Sequence, residues 1–322
     1  MVALPYSPIR MPTPTRSSTT RAHKKLALIL HGARADHPQL RNLVEWVRGK
    51  GHEVRVYVTW EKGDAIWMTR DAAHWKADAV IAAGGDGTVN EVVNGLDGLS
   101  VPLGIIPIGT ANDFAKQAGI PTDADHAMDV ILQRKPVRID TAEINGRRFL
   151  NVSTGGIGAE ATAETPAEAK EALGPLAYAI SGLRKLAGVH AWPARFTGED
   201  FDFDIKFVIF AVGNTRATGG STWVTPRARV RDGLLDVVIV KEMPRGELAR
   251  FSLLMRKGEH LDNENVHYVQ TPTFTVESRK PITVNVDGEP MTGKKFVYKV
   301  RPKDLAIFMA HLPDDAPGPG AA

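Results

Sequence analysis

The chain has 322 residues, of which 43% are hydrophobic and 24% charged, an ordinary globular composition with room for two domains. Its formal net charge is +3, which favours anionic partners, but the basic residues are scattered and aromatics make up only 7%, which argues against a nucleic-acid binder. The lack of cysteine excludes disulfides, thiolate zinc sites and cysteine nucleophiles, and no apolar run reaches the length of a membrane span.

In chain order, residues 1–22 are rich in Ser, Thr, Pro and basic side chains. They lack the apolar core of a secretory signal, and Pro5, Pro8, Pro12 and Pro14 oppose an amphipathic transit helix, so a disordered leader is expected. From Lys25 strands and helices alternate. Residues 26–30 predict a strand; Leu40, Leu43, Val44 and Val47 recur at helical spacing and stop at Gly51; Val54, Val56 and Val58 alternate as a strand. A helix is predicted over 64–76, strands over 79–82 and 103–106, and a short helix over 113–118. This alternation predicts a parallel sheet covered on both faces, with ligands at the carboxyl ends of its strands.

After about Ile139 the texture changes. Short strand-like runs at 141–144, 149–153, 204–212, 235–240, 273–276, 282–286 and 296–300 predict a mainly antiparallel second domain. One helix is expected to interrupt it, with Leu173, Leu176, Ala177, Ile180, Leu183 and Leu186 on a shared face; it is a candidate for lipid contact, with core packing the plainer alternative. The apolar run at 305–309 is expected to pack back toward the first domain, and residues 314–322 read as a disordered tail.

The strongest chemical signal is Gly84-Gly85-Asp86-Gly87-Thr88-Val89-Asn90, between a strand and a helix start. Glycines there admit close backbone approach, and the amides of the loop and helix N-terminus point at an anion. An acid inside such a loop implies a cation between it and phosphate, so Asp86 suggests a nucleotide with Mg2+. An Asx turn is the plainer alternative. Neither common nucleotide fingerprint, G-x-G-x-x-G or G-x-x-x-x-G-K-[ST], occurs. A second polar loop, Gly109-Thr110-Ala111-Asn112-Asp113, follows the next strand. Thr110 suits a phosphate or ribose hydroxyl, while Asn112 and Asp113 also suit helix capping. Thr59 ends the second strand and is expected at the same crevice. Trp60 beside it is read as an ordinary surface residue. In the second domain Asp232-Gly233 and Asp287-Gly288 are hairpin-turn dipeptides, and Glu289 is a carboxylate placed to accept a hydroxyl proton. The ten histidines form no ligand spacing, so none is read as a metal site.

Taken together, GGDGTVNE from Gly84, GTANDFA from Gly109 and DGEP from Asp287 resemble the diacylglycerol-kinase-type catalytic domain shared by bacterial lipid kinases, sphingosine kinases and ceramide kinases. VTWEKGDA from Val58, the segments around Thr165 and Leu173, and DGLLDV from Asp232 are similar to its YegS-like branch, so the resemblance spans roughly 25–313. It implies a three-layer α/β nucleotide-binding domain over 23–139, completed by 305–313, and a β-rich antiparallel sandwich over 140–304, with the active site in the interdomain cleft. It implies nucleotide contacts at Thr59, Gly84 to Asn90 and Thr110, a catalytic base at Glu289, and Asp113 as a contact to metal or lipid headgroup.

The same resemblance implies a second, structural Mg2+ site, able to take Ca2+, at Arg229, Asp232 and Leu234. Only Asp232 brings a carboxylate there, so the other two must bind through carbonyls, and Arg229 stands where the branch usually has an apolar residue. The expected protein is an ATP-dependent lipid kinase, cytoplasmic and peripheral at the membrane during turnover. A soluble-substrate kinase related to NAD kinase and a non-catalytic nucleotide or lipid sensor are the alternatives.

Overall fold

The computed structural model describes residues 23–157, 159, 190–219 and 222–312. The leader over 1–22, the segment around Thr165, the helix expected around Leu173 and the tail over 314–322 lie outside the described residues.

Four parallel strands open the fold: β1 (Lys25–Leu30), β2 (Glu53–Val58), β3 (Ala79–Gly84) and β4 (Leu103–Pro107), in the spatial order β4-β3-β1-β2. The three inner strands are buried nearly throughout, which is why they read as unbroken apolar runs; β2, at the edge, alternates in sequence but buries only Val54. Helices α1 (Pro38–Gly49), α2 (Asp64–His74), α3 (Asp86–Gly95), α4 (Asp113–Gln117) and α5 (Ala124–Gln133) accompany them. The helix α5 is an addition to the expected elements: Asp123 caps it by accepting from the His126 amide, and Ala127, Met128, Ile131 and Leu132 bury its apolar side.

The second unit is built from β5 (Val137–Ile144), β6 (Arg147–Phe149), β7 (Val152–Gly156), β8 (Trp192–Gly198), β9 (Asp202–Gly213), β10 (Leu235–Lys241), β11 (Val266–Thr271), β12 (Thr273–Val286) and β13 (Glu289–Ile307). Its strands pair antiparallel, as expected. The runs at 273–276 and 282–286 are one long strand with an irregularity between Glu277 and Ile282. A helix the sequence reading did not anticipate, α6 (Arg245–Lys257), ends at Gly258 with φ 72°, a left-handed C-terminal stop that glycine adopts freely. Leu248, Phe251 and Met255 of α6 pack on Val208, Val238 and Val240.

The two units share one hydrogen-bonded sheet. β13 pairs with β12 and β5, and its last residue, Ile307, pairs in parallel with Leu103 of β4. Leu305, Ile307, Phe308 and Met309 are buried in the α/β core, while Phe296 and Tyr298 of the same strand are buried among Phe196, Phe207, Phe210 and Phe274.

A charged cluster seals the seam between the units. Arg148, 2% exposed, is ion-paired with Asp304 and donates to the Val93 carbonyl of α3 at 2.8 Å. Arg301 joins Asp97, Glu143 and Asp304 to the same network. Removing one member of a buried ion pair strands the other in a low-dielectric site. Arg148→Ala is therefore expected to lower unfolding free energy by about 3–5 kcal/mol in urea titration, with Arg301→Ala, at a more exposed position, costing clearly less.

Candidate active site

The carboxyl ends of β3 and β4 are adjacent in register, Gly84 opposite Pro107, so the two polar loops that follow them meet. They meet at glycines. A Cβ on Gly109 would lie 2.3 Å from the Gly85 Cα, and a Cβ on Gly84 would lie 2.4 Å from the Thr88 hydroxyl. No side chain fits at either position, and that is the physical reason for glycine in both loops. The expected loop around Asp86 is tighter than the sequence reading had it. β3 runs through Gly84 and α3 starts at Asp86, which places Asp86 in the first helical turn. There it faces the start of α4 and accepts from the Phe114 amide at 3.4 Å.

The other wall comes from the β12–β13 hairpin. Its turn is Asp287-Gly288, with φ of 48° and 92°, the left-handed pair a tight hairpin needs. The Asp287 carboxylate accepts from the amides of Leu150 (2.7 Å), Asn151 (3.0 Å) and Val152 (3.1 Å) and from Asn90 Nδ2 (3.0 Å). Asn90 belongs to α3, so this one acid fastens the hairpin to the helix that begins at Asp86. Glu289 follows directly, and its carboxylate is ion-paired with Lys62, from the turn between β2 and α2.

Between these walls lies a cleft of about 680 Å³. Asp86, Gly85, Gly87, Thr88, Thr110, Asp113 and Glu289 line it, as does Asp287. The remaining predicted positions stand elsewhere. Thr59 is set behind the wall, its hydroxyl accepting from the Gly32 amide at 3.2 Å. Gly84 and Val89 pack within the β3–α3 unit, and Asn90 is the clamp on Asp287. Asp113 reaches across to the second unit, accepting from the Gly219 amide at 2.7 Å. Arg229, Asp232 and Leu234 lie apart from the cleft in a turn that leads into β10, not in the expected hairpin, because β9, the partner of β10, ends at Gly213. Asp232 accepts from the Leu234 amide, and the buried Asp140 holds the turn by accepting from the Gly233 amide at 2.8 Å. Among the described residues no cluster of three or more His, Asp or Glu side chains could hold a metal.

The chain matches the diacylglycerol kinase catalytic domain over residues 25–144 and the YegS C-terminal NAD kinase beta sandwich-like domain over 152–309. A probable lipid kinase YegS-like from Pseudomonas aeruginosa is 38% identical over 295 residues, which cover 91% of this chain and 96% of that protein. The chain belongs to the YegS-like lipid kinases. A probable lipid kinase YegS from Salmonella arizonae is 37% identical, covering 90% of this chain and 96% of its own length. Among solved structures, a putative diacylglycerol kinase from Bacillus anthracis superposes with a TM-score of 0.79 at 27% identity, covering 91% of this chain and 97% of that one.

For a YegS-like lipid kinase the cleft contributes residues that sequence reasoning missed. His31, Ala33 and Arg34 line it from the loop after β1, which sits at the same carboxyl edge of the sheet as the glycine loops. The strand-end rule pointed there, but no glycine-rich signature marked it. Asn151, Thr154 and Thr218 enter from the second unit, and Lys62 was inside a quoted motif without a role.

Burial pushes the Asp86 acid above the ordinary aspartate range, against the amides of residues 112–114 that favour its charge. A charge on this carboxylate is thus short of a counter-charge. Its oxygens suit a hard cation, and Mg2+ is commonly held by one or two carboxylates plus substrate phosphates, so the missing three-acid cluster is no misfit. Asp287 is also pushed up by burial, but all its partners donate, so that site is built for the carboxylate. For Asp86 the sign is clear. A raised folded-state pKa stabilises the fold below the unfolded pKa, and this contribution is lost as pH rises through the folded value. Asp86→Asn is expected to melt no lower than the parent chain at neutral pH, with the difference between the two shrinking in acid.

Proposed function

We propose that the chain transfers the γ-phosphoryl group of ATP to the hydroxyl of a membrane lipid, in the cleft between the glycine loops and the β12–β13 hairpin. The observation that carries this reading is the placement of Asp86 and Glu289 on opposite walls of one cleft, with Gly85, Gly87 and Thr110 between them.

The amides at the start of α3 and the Thr110 loop hold the triphosphate. Asp86 would hold Mg2+, which when bound supplies counter-charge to the phosphates. Glu289 accepts the proton of the attacking lipid hydroxyl, and Lys62 orients its carboxylate until the acceptor arrives. Phosphoryl transfer asks for positioning more than for covalent chemistry, so the rigidity of both walls is itself catalytic. At the separate turn before β10, the carboxylate of Asp232 with the carbonyls of Arg229 and Leu234 would hold a second Mg2+ or Ca2+.

Glu289→Gln is expected to slow lipid phosphorylation by about 10²–10⁴-fold with ATP binding retained, and Asp86→Ala to remove turnover. The measurement is transfer from labelled ATP to a bacterial lipid extract, with the product identified by mass. Unchanged turnover in either variant removes the role assigned to that residue. For that turn, added Mg2+ or Ca2+ should raise the melting temperature of the parent chain and not that of Asp232→Ala; equal shifts in both would place the ion elsewhere.

A further inference from the structure

The turn that carries Lys62 to Glu289 also carries the most exposed tryptophan among the described residues. Trp60 is 94% exposed, and Val58 and Val56 before it are 45% and 38% exposed. Along this edge strand the alternate residues are used: Tyr57 donates to Asp71 of α2 at 2.7 Å, and Thr59 holds the Gly32 amide. Val56 and Val58 lie on the other side of the strand, where Val54 is buried in the core, and Trp60 follows the strand end. Trp67, on α2, is 55% exposed.

Both tryptophans are tied to one carboxylate. Asp64 accepts from the Trp60 amide at 2.7 Å, the Glu61 amide at 2.9 Å and the Trp67 indole at 3.0 Å. Asp64 thus fixes the backbone of the turn and the Trp67 ring, and the turn presents two exposed indoles to the outside. An apolar ring with one polar N–H is the side-chain chemistry that settles at the headgroup level of a bilayer.

We propose that the paired tryptophans Trp60 and Trp67 dock on a phospholipid bilayer and present the acceptor lipid to Glu289. The proposal rests on the lipid-kinase reading of the cleft. Location supports it: Trp60 is two positions from Lys62, whose ammonium touches Glu289, so the docked surface adjoins the proton acceptor. A second copy of the chain would instead add to the β2 edge through backbone pairing. That contact leaves Trp60, beyond the strand end, and Trp67, on α2, without a purpose.

The test uses the full chain with vesicles of phosphatidylcholine and phosphatidylglycerol. The double variant W60S/W67S should bind these vesicles about tenfold to a hundredfold more weakly in co-sedimentation, the effect of keeping two large apolar side chains in water. It should retain the parental rate on a short-chain lipid dispersed as monomers, and lose rate on the same headgroup in vesicles. Equal vesicle binding by parent and variant overturns the docking face while leaving the kinase reading intact. A parent chain that binds vesicles through these tryptophans but phosphorylates no lipid overturns the kinase reading instead. Unchanged vesicle binding with a change from dimer to monomer in light scattering assigns the face to a second copy and also overturns the proposal.

Discussion

The carboxylate of Asp287 is the constraint on which the site depends. It takes three amides from the 150–152 segment and the Asn90 amide from α3, so one small acid ties the second unit to the glycine-loop helix. Asp86 opens that helix, and Glu289 lies two residues beyond Asp287. The two acids assigned to chemistry are thereby held relative to each other through a single buried junction. The junction resists replacement. Asparagine in place of Asp287 presents an N–H where every partner already donates, and alanine leaves all four donors unpaired.

The cleft is acidic, and its geometry sorts the acids. Among the described residues four carboxylates line it, Asp86, Asp113, Asp287 and Glu289, against Arg34 as the arginine of the lining. Asp287 is committed to the hairpin junction, and Asp113 binds the Gly219 amide of the second unit. That leaves Asp86, with its charge disfavoured by burial, and Glu289, with Lys62 against it. A polyphosphate entering such a cleft needs positive charge brought with it, which is the electrostatic case for a metal–nucleotide complex over free nucleotide.

Much of this was legible in the sequence because the signals were local. The unbroken apolar runs of β1, β3 and β4 follow from burial on both faces, and the glycine loops follow from close backbone approach at Gly85 and Gly109. The fold class came from alternation followed by short strands, and the family from motifs in order. What was not legible depends on tertiary contact. Asn90 sits in the glycine motif and was expected at the nucleotide, yet its partner Asp287 lies about two hundred positions away, and nothing local encodes that pair. Lys62 carried no role in the sequence because its partner Glu289 is equally distant. The helix α6 was missed for a different reason: its buried residues Leu248, Phe251 and Met255 keep helical spacing, but polar and basic residues between them dilute the pattern.

The position of Glu289 is set by register as much as by side chains. β13 begins at Glu289, where Val286 of β12 is its partner, and ends at Ile307, paired to β4 in the α/β core. Between Arg301 and Leu305 its register shifts, and Lys303 adopts a left-handed φ of 50° whose amide is held by Asp140 at 2.7 Å. That irregularity lets one strand belong to two differently oriented parts of the sheet. Asp140 also holds the Gly233 amide of the 229–234 turn. That turn is thus tied to the strand that begins at Glu289 through one buried carboxylate rather than through the cleft.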